Sequence, residues 1–342
     1  MTASLDIVEL DPFDQETFTA WHGAYEAAER HGRDGLATVW AREELWLRMT
    51  EPIRTSESTG FLGRVADDVV ATGFVELPML DNLEMAHVHV TVHPDHRRAG
   101  RGSQMLAHVE EFARNRGRRV LLSEAVWPYD GGADGTGTAG REFARANGYG
   151  LELVDIKRML DLPVDDARLD ELAAEAAPYH RGYTLRSFVG PVPDDLLQGW
   201  AEITASLMTE APSGGIEREP EAVDVDAVRE HEALTAKQGR TKYNTVALDA
   251  AGAVAAYTDI AVSGYEKGRA YQWGTLVRPG DRGHRLGLAV KVANLRLLQQ
   301  GSPDVHHVVT WNAEVNDHMI GVNELLGFRP VERNGEFQKK LA

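Results

Sequence analysis

Two distant stretches of this chain share one grammar, and their recurrence constrains the fold more than anything else in the sequence. VHPDHRRAGRGSQML (Val92–Leu106) and VRPGDRGHRLGLAVK (Val277–Lys291) each end an apolar strand at a proline, pass arginines and glycines, and become a helix. Val92, Pro94, Arg97 and Gly102 match Val277, Pro279, Arg282 and Gly287 at one constant offset. The flanks agree as well. Alternating β-type runs precede each motif, Val69–Leu77 and Ala86–Val92 in the first copy, Ala253–Val262 and Ala270–Val277 in the second. A further strand follows each helix (Arg118–Trp127, His306–Ala313), then a helical segment closing on glycine and an aromatic (Arg141–Tyr149, Ile320–Phe328), then a last strand. Helical regions are expected early in each copy, over Gln15–Met49 and Asp194–Gln238. The pattern predicts an α+β chain of two tandem units, each a mixed, mostly antiparallel sheet flanked by helices. The boundaries read as 1–162, a charged linker helix over 163–181, and 182–342.

A chain of 342 residues fits two cores better than one. Its 43% hydrophobic and 26% charged residues are those of an ordinary globular protein. The absence of cysteine removes disulfides, thiolate metal sites and a Cys nucleophile, and no metal is expected. The first residues lack the basic and apolar runs of a secretion signal, and no stretch is apolar enough for a membrane span, so a cytoplasmic protein is expected. A net charge of −17 argues against nucleic-acid partners and favours a cationic small molecule, while an anionic ligand would need local basic relief. The arginines of the repeated motif supply that relief.

The start of a helix presents unpaired N–H groups and a partial positive charge, which bind anions. Gly100 and Gly102 remove the Cβ atoms that would hold phosphates off the backbone, and Arg97, Arg98 and Arg101 add charge. Met105, Leu106, Val109 and Phe112 give the following helix an apolar face that ends at Gly117. One such unit alone reads as a tight turn with solvated arginines. Two, each between a strand and an amphipathic helix, read as pyrophosphate cradles. The motif lacks the third glycine of the dinucleotide fingerprint and the Gly-Lys-Ser/Thr of a Walker loop.

Arg-x-x-Gly-x-Gly at Arg97–Gly102, together with RANGY (Arg145–Tyr149) and NELLGF (Asn323–Phe328), resembles the acetyl-CoA motif and closing turn of the Gcn5-related N-acetyltransferase (GNAT) superfamily. The resemblance covers nearly the whole chain as two copies, an arrangement also found in mycothiol-synthase-like proteins. It implies an acyl-CoA N-acyltransferase fold, acetyl-CoA as acyl donor, and acetyl transfer to a primary amine of a small molecule by direct attack. In the first copy it assigns Val90 and Val92 to the pantetheine arm, and Arg97, Arg98, Ala99, Gly100, Arg101, Gly102 and Ser103 to the pyrophosphate. In the second it assigns Leu276 and Val277 to the arm, Arg282, His284, Arg285, Leu286, Gly287 and Leu288 to the phosphates, and Asn312 and Asn316 to the CoA chain. Arg285 replaces a glycine of the family pattern.

Direct transfer needs a base for the amine, an N–H to polarise the thioester carbonyl and a proton for the thiolate. Period two puts His87 and His89 on one face of their strand, with Glu84 and Glu124 as carboxylate alternatives. Asp259 and Tyr271 are the nearest equivalents in the second copy. Val90 or Val92 is the expected backbone donor. The tyrosine that the family often places at the closing turn is Ala144 in one copy and Asn323 in the other, leaving Tyr129, Tyr149 or water. A non-catalytic CoA sensor or scaffold is therefore the alternative reading. The glycine-rich Gly131–Gly140 could be a lid or a plain loop, and acidic Met208–Glu232, with Glu210, Glu217 and Glu219, could attract an amine. Oligomeric state stays open, a homodimer included.

Overall fold

In the computed structural model, which describes residues 5–341, the first copy runs β1 (Asp6–Glu9), α1 (Gln15–Arg30), α2 (Arg42–Thr50), β2 (Ser56–Val65), β3 (Asp68–Pro78), β4 (Met85–Val92), α3 (Arg101–Asn115), β5 (Val120–Pro128), α4 (Ala139–Ala146) and β6 (Gly150–Asp161). Then come α5 (Asp166–Ala176), β7 (Thr184–Val189), α6 (Leu197–Ala205), α7 (Leu207–Glu210), α8 (Val225–Lys237), β8 (Arg240–Leu248) and β9 (Val254–Ser263). The chain closes with β10 (Arg269–Val277), α9 (Leu286–Gly301), β11 (His307–Ala313), α10 (Asp317–Leu326) and β12 (Arg329–Lys340). The described helices include none long and apolar enough to cross a membrane.

The repeat is real, but the compact units do not follow its boundaries. One unit is Met1–Leu153 with Asn334–Ala342, and the other is Val154–Arg333. In the first, the order is β1-β2-β3-β4-β5 followed by β12. Lys339 binds both oxygens of Glu110, at 2.8 and 2.7 Å, and Leu341 donates its N–H to Arg119. In the second, β6 pairs antiparallel with β11 from Asp161↔His307 to Asp155↔Ala313, ahead of β10-β9-β8-β7. There Lys157 meets Glu332 at 3.0 Å, both side chains buried. The last strand of each copy has been exchanged, and sequence similarity alone carries no mark of it.

Segment 163–181 also departs from expectation. Leu169, Leu172 and Ala176 repeat at helical spacing and pack with Leu295 and Leu298 of α9 in the core of the second unit, so α5 is a core helix rather than a linker. The acidic Met208–Glu232 segment contains α7 and the start of α8, whose N-cap Asp224 accepts from Asp226 and Ala227.

In the first unit the sheet separates two helical faces. Phe18, Trp21 and Tyr25 bury one side of α1, which packs on β3 and β4. Met105, Leu106, Val109 and Ala113 bury α3 against β3 and β4 from the other side, because β4 alternates Val88 and Val90 with His87 and His89.

Candidate active site

β4 and β5 run parallel but pair only at Met85↔Val120, Ala86↔Leu121 and His87↔Leu122, while β4 stays paired with β3 through Val92. Past His87 the two strands part. His93 donates its N–H to Val70 of β3 at 2.9 Å, so by alternation Val90 and Val92 aim their backbone groups the other way, into the opening. The Val92 carbonyl there accepts from Arg97 Nε at 3.0 Å, and the N–H groups of Val90 and Val92 both face the opening.

The cradle lies at the end of this opening. Gly100 sits at φ 75°, a left-handed conformation that glycine adopts without steric cost, and it starts α3 with no side-chain cap. The ladder begins with Gln104 donating to Gly100, so the N–H groups of Arg101, Gly102 and Ser103 face outward at the positive end of the helix. A Cβ on Gly102 would stand 3.1 Å from the Phe143 ring, a tight approach that would need the ring to give way. Ala99 is half-buried and Ser103 exposed.

Two of the three arginines have another task. Arg97 reaches the Ala28 carbonyl near the end of α1 (3.2 Å), and Arg101 braces the His96 carbonyl (2.8 Å). Arg98, exposed at φ 62°, is left to face an anion.

On the α1 face, His89 Nε2 lies 3.1 Å from Glu29 Oε1, and Glu29 is held at 3.0 Å by Arg33. Burial pulls the His89 pKa down, but the hydrogen bond and charge of Glu29, with the charge of Glu124, more than reverse this, so it stands above the ordinary 6.5. Burial likewise raises Glu29, and His89 and Arg33 outweigh it to leave the carboxyl below its usual range. Tyr25 packs its ring edge-on to His89 at 6.2 Å. Glu124, placed on the same face by the His87↔Leu122 register, accepts from Asn334 Nδ2 at 3.1 Å.

Glu29 and Asn334 are the residues sequence reasoning missed. Glu29 lies in an amphipathic helix with no motif, and Asn334 is brought in by the strand exchange. Of the predicted residues, His89 and Glu124 come together. His87 shares their face, exposed toward the closed end of the pairing. Glu84 does not join them: it precedes β4, where its carbonyl accepts from Arg119 and Val120, about 16 Å of strand from His89. Tyr149 is buried beside Glu110, and its pKa is driven far upward by that burial and by the Glu110 charge, so it presents no acid to a ligand. The Gly131–Gly140 segment is wrapped on Trp127, whose Nε1 donates to Gly132 at 2.9 Å, and a Cβ at Gly135 would stand 2.7 Å from that ring. Gly131, Gly135 and Gly140 serve close packing, whereas Gly132 and Gly137 have open space beside them and sit at positive φ.

The second unit repeats the geometry and fills it. β10 and β11 pair over Arg269–Tyr271 and His307–Val309 and then part, and a bulge between Gln272 and Thr275 interrupts β10 against β9. Just past the last pair, a chain of side chains runs from β10 to β11. Lys291 contacts Gln272 at 3.5 Å and Asn323 at 3.1 Å, and Asn323 donates to Asn312 at 3.2 Å. Lys291 stands where the first copy has Leu106, Gln272 where it has His87, and Asn323 where it has Ala144.

The expected CoA asparagines are therefore structural: Asn312 is tied to Asn323, and Asn316 caps α10 through the Met319 N–H. The side chains of the cradle are engaged too. Arg285 pairs with Glu175 under the Tyr179 ring, His284 contacts the Tyr179 carbonyl at 3.0 Å, and Arg282 pairs with Glu210 at 2.7 Å. Leu286, Gly287 and Leu288 are buried, as is Leu276, and Val277 continues the ladder to Ala256. Asp259 pairs with Lys242, and Tyr271 donates to Glu266.

Burial holds the Lys291 pKa down at about 7. Between about pH 7 and its ordinary 10.5 the unfolded chain binds a proton that the folded chain has lost, so Lys291 makes stability rise with pH across that window, by about 1.4 kcal/mol per unit. Lys291→Met should remove this dependence, seen as a smaller gain in urea-unfolding free energy between about pH 7 and 9.

Comparison with known proteins agrees with this geometry. Residues 18–129 match the acetyltransferase (GNAT) family model, all within the first unit. The chain superposes on a tandem GNAT protein from the clavulanic acid biosynthesis pathway with a TM-score of 0.78 and 26% identity, over 98% of both chains. A GCN5-related N-acetyltransferase from Sphaerobacter thermophilus shares the fold at TM-score 0.66 and 15% identity, over 98% of this chain and 95% of that one. One from Kribbella flavida does so at 0.52 and 14%, over 98% and 72%. No curated protein sequence matches the chain. Residues 18–129 carry the sequence pattern of the acetyltransferase (GNAT) family, and the chain as a whole has the fold of a tandem GNAT protein.

Proposed function

We propose that the first unit transfers an acetyl group from acetyl-CoA to a primary amine of a small molecule, and that the second unit supports it without taking a donor of its own. The observation that carries this reading is the contrast between the copies: Gly100–Ser103 opens α3 to a ligand, whereas Arg285–Leu288 is covered or buried. The N–H groups of Arg101, Gly102 and Ser103, with Arg98, would hold the diphosphate, and the parted β4 and β5 would admit the pantetheine arm. Bound there, acetyl-CoA supplies an activated thioester. The N–H of Val90 or Val92 polarises its carbonyl from the strand edge.

His89 faces the acceptor from the opposite side of the sheet, where α1 lies, and takes the proton that the amine loses. Glu29 orients its ring and stabilises its charged form. Glu29 and Glu124 make this face favourable to a cationic amine. A pKa above 6.5 places His89 near the working range of a general base at neutral pH.

Calorimetric titration with acetyl-CoA tests the reading through its stoichiometry: one per chain is expected. Two per chain, or one that survives loss of the first cradle, would refute it. CoA release in the presence of a panel of primary amines then separates a transferase from a CoA sensor.

A further inference from the structure

Asn334 belongs to the last strand, yet it lies in the first unit, and only 6% of its surface is exposed. Its Nδ2 donates to Glu124 Oε2 at 3.1 Å. An ionised carboxylate only accepts hydrogen bonds, so the amide nitrogen must face Glu124 and the amide oxygen must point away from it. That oxygen is buried and has no hydrogen-bond partner among the described residues. Buried acceptors are rarely left so, because the chain loses the hydration of the oxygen and gains nothing in return.

The surroundings state what would satisfy it. The face holding Glu124 also holds His89 and Glu29, and Arg33, which bears on His89, is engaged with Glu29. Glu124, Glu29 and the Asn334 amide oxygen present acceptor atoms on this unit, and a positively charged N–H group is the chemistry that complements them.

We propose that Asn334 Oδ1 and Glu124 form the acceptor-amine subsite of the first unit, taking a primary ammonium group through two N–H bonds while the third faces His89. This rests on the assignment of the first unit as the active one and adds a selection rule to it. Each N-methyl group removes one of the three bonds, so primary amines are preferred to secondary and tertiary ones, and quaternary ammonium is excluded. It also gives the end of the chain a part in a site that is otherwise built from its first half.

The test uses the full chain and NMR of the Asn334 side-chain amide and the His89 ring, with methylammonium as probe. Saturable shifts at both residues with a single Kd are expected, with trimethylammonium weaker by about tenfold or more and tetramethylammonium inert. Asn334→Leu should weaken methylammonium at His89 by about tenfold while acetyl-CoA affinity, which reports folding of the first unit, is unchanged. An unmoved Asn334 amide, equal binding of tetramethylammonium, or a variant with unaltered methylammonium affinity would overturn the subsite. If acetyl-CoA still shifts the Gly100–Gly102 amides in those cases, the transferase reading stands without it. If those amides also stay still, both fall.

Discussion

Replacing His89 with Gln should lower kcat by about 10²–10⁴-fold while leaving acetyl-CoA affinity unchanged, because the proposed role of the ring is on the amine and its hydrogen-bond partner is Glu29, outside the donor cradle. The pH profile gives the sharper readout. With its pKa above 6.5, His89 is protonated and idle as a base at low pH, so activity rises with pH through a midpoint above 6.5. The groups that set this midpoint are Glu29 and Glu124, which raise it, and burial and Arg33, which lower it. Glu29→Gln removes the largest raising influence, so the acid limb should move to lower pH as kcat falls. A pH profile unmoved in Glu29→Gln, or full activity in His89→Gln, would reassign the base.

The second large effect separates the two cradles. Gly100→Glu should weaken acetyl-CoA by about 10²-fold or more. A side chain at φ 75° costs about 1–2 kcal/mol, and the new carboxylate would stand where the diphosphate is proposed to bind. In the second unit Arg285→Gly restores the glycine of the motif and releases Glu175, yet affinity should stay within about twofold, since Leu286, Gly287 and Leu288 remain buried. Calorimetry on the two variants decides between the copies. Equal losses would mean that both cradles work.

The periodic parts of this molecule were legible in the sequence. β3, β4, β9 and β10 form where β-type runs stand, α3 shows its apolar stripe, and the glycine bend at Gly100 folds as its composition demands. His89 and Glu124 could be named because strand alternation is local. Glu29 could not, since its partnership with His89 spans 60 residues and depends on how α1 crosses β4. The closure of the second cradle was half-visible: Arg285 was noticed as a departure, but the covering Tyr179 and Glu175 lie in a segment whose charge disguised its buried Leu169 and Leu172. The exchanged strands were invisible for a physical reason. Swapping two similar edge strands preserves every local pattern and changes only the partner.

That swap reaches into how the chain is made. The strand that completes the first sheet leaves the ribosome after the whole second unit, and the residues separating it from Leu153 take roughly ten to thirty seconds to synthesise at about 5–20 residues per second. During that interval β5 has an open edge, Trp127 lacks the backbone at Gly335 that packs on its ring, and Glu110 lacks its lysine. A nascent or prematurely terminated first half therefore presents an unpaired strand border until residues 334–341 arrive to cover it.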